Sequence, residues 1–137
     1  MRAARAESLL KWLLIVLGAM AATAVVPMVM PFAWMQRAND ALGLAPLVDT
    51  PLAQYLTRSL SAVYALFGVL TIVIGCDVRR YRELIVVIGW LTALLGAVLT
   101  VIDFAVGMPP SWSWGEGPPT ILLAGAMIWL AKRVRPA

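Results

Sequence analysis

The chain has 137 residues, of which 62% are hydrophobic and 13% are charged, and its formal net charge is +4. Because soluble globular domains carry roughly 25% charged residues, this composition excludes an ordinary water-soluble domain and indicates a protein whose solvent is mostly lipid. The sequence has one cysteine and no histidine. It therefore excludes an intrachain disulfide and a Cys/His zinc site, and it lacks the commonest haem ligand.

Four apolar segments come near the length of about 20 residues with which a helix crosses a bilayer. In chain order they lie at 9–34, 56–76, 84–106 and 118–131. The predicted fold is therefore all-α: an integral membrane four-helix bundle, in one transmembrane domain, with antiparallel neighbours.

The first segment is predicted to be a retained span whose outer end is kinked by Pro27 and Pro31. The alternative is a cleaved signal peptide, since Arg2 and Arg5 precede the apolar run and the small residues at 22–24 resemble a cleavage site. A lysine interrupts this apolar run, and the run continues well beyond the cleavage-like residues. Both features favour the retained span.

The connections and the two terminal flanks contain most of the charges, and five of the nine prolines also lie outside the predicted spans. An outer loop is predicted at 35–55, with room for one short surface helix, and a cytoplasmic loop at 77–83. A second outer loop is predicted at 107–117. This last segment is expected to be non-helical because it is rich in proline and glycine.

Basic residues give the predicted orientation. Nine of the eleven Lys and Arg residues lie in the N-terminal flank, the 77–83 loop and the C-terminal tail. Four crossings place all three flanks on one side, and the positive-inside rule makes that side cytoplasmic, together with both termini. The 77–83 loop is expected to contact anionic lipid headgroups. Because the basic residues occur in flanks rather than along one stripe, nucleic acid is not a predicted partner.

The second and third spans each carry a row of small and polar residues at three- and four-residue steps, so each row lies on one helix face. Antiparallel alignment pairs the two rows member by member. Hydroxyls at Ser61 and Thr100 are predicted to hydrogen-bond across this hairpin, and small residues are predicted to let the backbones approach closely. The predicted packing residues are Ala65, Gly68, Gly89, Ala93 and Gly96.

The same alignment places Arg58 level with Asp103 near the outer end of the hairpin. An ionised carboxylate alone in hydrocarbon costs on the order of 2.5–3.5 kcal/mol, so an Arg58–Asp103 ion pair is predicted. Two roles stay open for it: a structural clamp, or part of an outward-facing polar cavity with Tyr64 and Glu116 that binds a ligand or relays protons. Alternatively, Glu116 complements the positive end of the fourth helix.

Signatures of several enzyme classes are absent from the sequence. It contains no phosphate-binding loop, dinucleotide-binding glycine pattern, zinc-protease motif or Cys-x-x-Cys pair. Without histidine, catalysis would rest on carboxylates, Tyr64 or Arg58, and no catalytic residue is assigned. No haem, zinc or other metal is predicted, and a quinone or a lipid stays open as a ligand.

A family resemblance rests on three stretches: R-S-L-S-A-x-Y at 58–64, D-x-R-R-Y at 77–81, and the Pro- and Trp-rich stretch that ends in Glu-Gly-Pro at 116–118. Over residues 56–130 the chain resembles small four-span bacterial membrane proteins of unknown function, which are loosely similar to DoxX-like proteins. The resemblance implies a four-helix bundle in the bacterial inner membrane. DoxX-like proteins are associated with redox or quinone-linked complexes, but no catalytic position is carried over.

The predicted function is non-enzymatic: a structural or accessory subunit, or a bundle that binds a lipid or a small apolar ligand. One alternative is a membrane enzyme or redox component acting on a lipid or quinone at the outer mouth. Another is a small oligomeric permeation or export protein. The expected partners are membrane lipids, with a larger membrane complex or a homo-oligomer left open.

Overall fold

The computed structural model describes residues 3–44 and 46–135, and every regular element in this part of the chain is a helix. In chain order the helices are α1 Ala3–Ala22, α2 Val25–Val29, α3 Phe32–Ala41, α4 Pro51–Cys76, α5 Arg82–Val106 and α6 Pro110–Ala131. The prediction of an all-α protein is confirmed. A four-helix bundle with cytoplasmic termini stays a prediction.

Three stretches of the described chain are long and apolar enough to cross a membrane: Ala3–Val29, Pro51–Cys76 and Arg82–Val106. These correspond to the first three predicted spans. Helix α6 is 22 residues long, or about 33 Å at 1.5 Å per residue. It is not among the three because its N-terminal half is polar.

Prolines divide the first span as expected. The ring of Pro27 conflicts with a helical carbonyl four residues earlier, at Thr23. The helix is interrupted there, and Thr23 O instead accepts a hydrogen bond from Val26 N. Met30, which precedes Pro31, is extended, because proline disfavours helical geometry in the residue before it.

Residues 110–117 are helical, so the prediction of a non-helical loop at 107–117 was wrong over this stretch. Pro110 begins α6, where its missing N–H has no helical acceptor to lose. Pro118 and Pro119 lie inside the helix, where they remove the α-helical donors to the carbonyls of Trp114 and Gly115. The packing of α6 on α5 outweighs the low helix propensity of this segment.

The described residues fall into two compact units. Unit 1 contains those of Met1–Leu14 and Ile74–Ala137, and unit 2 contains those of Ile15–Val73. Most of the buried apolar side chains belong to unit 1. They include one stripe of α1 at four-residue spacing, typical of a core-facing helix side: Ala6, Leu10 and Leu14.

In unit 1, α5 and α6 form an antiparallel hairpin. At one end Arg82 Nε donates to Ala131 O at 3.0 Å. Farther along, a Cβ on Gly96 would lie 3.0 Å from Gly117 O, so the two backbones are nearly in contact. Gly107 closes α5 with a φ of 74°, a left-handed conformation that glycine adopts without steric strain.

In unit 2, α4 begins with a capped turn and packs on α1. Thr50 Oγ1 accepts a hydrogen bond from Ala53 N at 3.2 Å, and Pro51 occupies the first helical position, which is a favourable start for a helix. Farther along, a Cβ on Gly18 would lie 2.7 Å from Gly68 O. The small residues of α4 therefore contact α1.

Candidate functional site

Asp103 is the buried carboxylate among the described residues of unit 1. It lies near the end of α5 and is 6% exposed. Its carbonyl oxygen accepts hydrogen bonds from Gly107 N and Met108 N, whereas its side-chain Oδ2 is buried and has no hydrogen-bond partner among the described residues. Since buried polar atoms are nearly always hydrogen-bonded, this oxygen is the unusual feature of the region.

The α5–α6 register identifies the neighbourhood of Asp103. Thr100 adjoins Gly117, so one turn farther along the antiparallel pair Asp103 lies level with Ser113. Ser113 is fully buried, and its hydroxyl makes only a long hydrogen bond of 3.5 Å to Pro109 O. Phe104 and Trp114 meet edge to face beside this level, with ring centroids 6.3 Å apart. The helices thus enclose a carboxylate and a hydroxyl beside an aromatic pair.

No ion pair joins Asp103 to a described basic residue of unit 1. The basic residues of this unit are in the N-terminal flank, in the α4–α5 connection and after α6. Arg82, at the start of α5, is roughly 30 Å away along the helix axis at 1.5 Å per residue. The described part of unit 1 therefore supplies no ion-pair partner for Asp103.

Arg58 has a defined role within unit 2. Its Nη1 donates to Met28 O at 3.0 Å, and its Nη2 donates to Met30 O at 3.3 Å. Both carbonyls lie just before Pro31, where the helical backbone hydrogen bonds of the first span are interrupted. Arg58 therefore fastens α4 to the interrupted end of the first span. The predicted Arg58–Asp103 ion pair would join the two units, and it stays a prediction.

The hydroxyls of the predicted polar row bond within their own helices. Ser61 Oγ donates to Thr57 O at 2.8 Å, and Thr100 Oγ1 donates to Gly96 O at 2.7 Å. Each hydroxyl donates to the carbonyl four residues earlier, which is the nearer acceptor in a helix. The predicted hydrogen bonding across the hairpin would join the two units, and it stays a prediction. Tyr64, a predicted cavity residue, is exposed.

Glu116 lies well inside α6 rather than before it, because the helix already begins at Pro110. Its suggested role at the positive end of the fourth helix is therefore wrong. Its carboxylate accepts a hydrogen bond from Trp112 Nε1 at 2.6 Å. Both side chains line a groove of about 440 Å³ along α6, and neither Asp103 nor Thr100 contributes to that lining.

The predicted packing glycines make close helix contacts, but their neighbours differ from those that the alignment of the two rows predicted. Gly68, aligned with Ala93, adjoins Gly18 and Ala22 of α1. Gly89 and Gly96 adjoin α6, where their neighbours are Ile128, Ile121 and Gly117. Ala65 and Ala93, the remaining members of the predicted set, are half-buried.

Two contact surfaces were missed by the sequence reasoning. Gly18 and Ala22 of α1 are spaced four apart, as are Ser113 and Gly117 of α6. Small residues at this spacing are a known signal for close helix packing in membranes. The signal was therefore present in both helices, but the second pair lay in a segment that was predicted to be a loop.

The basic end of unit 1 contains the ion pairs of the described residues. Arg79 Nη2 lies 2.7 Å from Glu7 Oε2, and Arg82 Nη1 lies 2.6 Å from Glu83 Oε1. The hydrogen bond and the negative charge of Glu7 raise the pKa of the Arg79 guanidinium. Arg133 stacks over the Trp129 ring with 3.8 Å between its guanidinium carbon and the ring centroid.

Comparisons with protein-family models, with curated proteins and with solved structures found no match for this chain. Among the described residues, no group of three or more Asp, Glu, Cys or His side chains is placed to hold a metal ion.

Proposed function

We propose that the protein is an integral membrane protein that acts by binding rather than by catalysis, as an accessory subunit of a membrane complex or as a lipid-binding helix bundle. Helices α1, α4 and α5 supply three crossings in this proposal, and α6 supplies the fourth. A four-span topology in the bacterial inner membrane, with both termini in the cytoplasm, belongs to the same proposal.

One observation carries the proposal: most large apolar side chains of the long helices are exposed. On α5, Trp90, Leu94 and Val101 are each more than half exposed, and α4 shows the same at Leu56 and similar positions. Monomeric soluble proteins rarely expose contiguous apolar patches beyond a few hundred Å². Lipid or another membrane protein is therefore the expected neighbour of these helices.

The buried contacts fit the same environment. Helices in lipid gain little from burying apolar area against each other and pack instead through small residues. Close backbone approaches are made by Gly18 with Gly68 and by Gly96 with Gly117. These contacts supply a scaffold for binding, and they contain no group suited to acid–base or nucleophilic chemistry.

Native mass spectrometry of the protein extracted gently from its own membrane tests the proposal. A stoichiometric protein partner, or a specifically retained lipid, is the expected result. Recovery of the chain in the soluble fraction after lysis would overturn the membrane assignment. Turnover of a lipid or quinone by the purified protein would overturn the non-enzymatic role.

Cys76 offers a direct test of orientation because it is the only cysteine in the sequence and is exposed at the end of α4. A membrane-impermeant maleimide added to intact cells is expected to leave it unlabelled. In a Cys76→Ser background, Ser111→Cys is expected to be labelled from outside. The reverse pattern would contradict cytoplasmic termini.

The unpartnered oxygen of Asp103 favours a second candidate, a membrane enzyme or redox component that acts on a lipid or a quinone at the outer mouth. The resemblance to DoxX-like proteins makes a quinone the first compound to try. Asp103→Asn would abolish turnover in this case, whereas an accessory subunit would keep its partner and show no turnover before or after the substitution.

A further inference from the structure

One end of unit 1 gathers the three basic flanks of the sequence. The Glu7–Arg79 ion pair joins the beginning of α1 to the α4–α5 connection. The hydrogen bond from Arg82 to Ala131 O joins the start of α5 to the end of α6. The carboxylates at this end are engaged: Glu7 and Glu83 pair with arginines, and Asp77 accepts a hydrogen bond from Arg80 N. The remaining charge at this end is strongly positive.

A groove of about 360 Å³ opens within this basic end, and we call it the basic-end groove. It is lined by Ala3, Ala4, Glu7, Arg79 and Arg135. The alanines leave room beside the two guanidinium groups. Arg79 directs one nitrogen to Glu7 and keeps further N–H donors for another acceptor. Arg135 forms no hydrogen bond or ion pair with other described residues.

We propose that the basic-end groove binds the phosphate of an anionic lipid headgroup, with Arg79 and Arg135 as the phosphate ligands. A guanidinium presents two parallel N–H donors that match two phosphate oxygens, which a single ammonium group does not. The ion pair of Glu7 with Arg79 limits the positive charge in the groove.

A lipid is favoured over free phosphate by the surroundings of the groove. The membrane-spanning helices α1 and α5 begin at this end, and α4 ends here. Arg133 lies over the Trp129 ring, an arrangement suited to a membrane interface, where an aromatic ring and a basic side chain meet lipid headgroups. The inference rests on the membrane location proposed above, and it names the lipid chemistry that the protein recognises.

The test uses the full-length protein in nanodiscs of phosphatidylcholine and phosphatidylglycerol, with the retained lipids counted by native mass spectrometry. The groove pair Arg79→Gln with Arg135→Gln is compared with the control pair Arg80→Gln with Lys132→Gln. Both pairs remove two exposed charges from the same end, so both lose about fivefold per charge in general attraction to an anionic surface. The groove pair is expected to lose about tenfold more, because charge-assisted hydrogen bonds are lost only there.

Glu7→Gln separates lipid binding from a structural effect of the ion pair. Both Glu7→Gln and Arg79→Gln break the same pair, but Glu7→Gln is expected to increase phosphatidylglycerol retention, and Arg79→Gln to decrease it. Equal losses in the groove and control pairs, or reduced retention in Glu7→Gln, would overturn the proposal.

Two further measurements, a competition with phosphate and a carbonate extraction, identify the cause of a negative result. Inorganic phosphate at millimolar concentration is expected to leave the retained phosphatidylglycerol in place. Displacement of the lipid by phosphate would overturn the lipid assignment in favour of a free-anion site. Alkaline carbonate extraction of the native membranes is a separate check. If carbonate extracts the protein from the membranes, the proposed membrane function fails. If the protein stays in the membrane but shows no preference for phosphatidylglycerol, only the lipid-binding inference fails.

Discussion

Two close helix contacts, Gly18 with Gly68 in unit 2 and Gly96 with Gly117 in unit 1, differ in what surrounds the glycines. The three atoms nearest to a Cβ on Gly68 would all be backbone atoms, those of Gly18, Ala21 and Ala22. A Cβ on Gly117 would meet the Thr100 side chain as well as Gly96 O. Backbone atoms of two helices move only if the helices separate, whereas a side chain can change rotamer. We therefore expect the unit 2 contact to tolerate added volume less well.

The largest expected effect is that of Gly68→Ala. Its Cβ would lie 2.6 Å from Gly18 O and would also clash with Ala22 N. We expect a loss of about 3 kcal/mol, at the upper end of the range for overpacking, measured by unfolding in one detergent with circular dichroism. Gly125→Ala is the matched control, since its Cβ meets nothing within 4 Å and alanine favours a helix by about 0.5–1 kcal/mol. Equal stability of the two variants would contradict the contact.

Arg58→Gln is expected to have the next largest effect, because it releases the Met28 and Met30 carbonyls in unit 2. Hydrogen bonds to a charged group contribute about 1.5–3 kcal/mol, and we expect a loss of about 2 kcal/mol in the same unfolding assay. Combining the substitution with Asp103→Asn tests the predicted ion pair. If the two residues form an ion pair, the double variant loses less stability than the sum of the two single losses. Additive losses indicate that Arg58 stabilises only the interrupted end of the first span.

Gly117→Ala tests the glycine contact of unit 1 in the same way. We expect a loss of about 1–2 kcal/mol, smaller than for Gly68→Ala, because part of the conflict involves the Thr100 side chain. Adding Thr100→Ala removes the hydroxyl and is expected to restore a substantial part of the loss. The conflict with Gly96 O, at 2.8 Å, remains. Absence of any rescue would show that the α5–α6 contact is as inflexible as the contact in unit 2.

The smallest expected effect is that of Glu7→Gln, at the surface of unit 1. Arg79 is exposed, and solvent screens an exposed ion pair, so we expect no measurable change in melting temperature. Because Glu7 raises the pKa of Arg79, any stabilisation from Arg79 is present below its unfolded pKa and is lost only as pH rises through the higher folded pKa. Melting temperature is therefore expected to show no Arg79-dependent change between pH 6 and 9. A clear loss of stability in Glu7→Gln would contradict this description.

The candidate site was predictable in part. Asp103 stood out because a carboxylate is rare in an apolar segment, but its burial depends on which side of α5 packs against α6, since its sequence neighbours Ile102 and Phe104 are exposed. Its neighbour Ser113 was not predictable, since the segment around it contains the prolines and glycines of a loop. The partner of Arg58 was not predictable either, because the free carbonyls of Met28 and Met30 exist only once the first span is broken.

The sequence by itself determined the helical class, the three long apolar helices and the interruption of the first span. Each of these depends on local properties: apolar runs of sufficient length, and prolines that lack an N–H. The tertiary structure decided the partner of each small-residue face and the helical state of residues 110–117. A glycine allows close approach without specifying the neighbour, and a segment of low helix propensity becomes helical where packing on a second helix supplies the missing free energy. Gly68 therefore adjoins α1, and Gly96 adjoins α6.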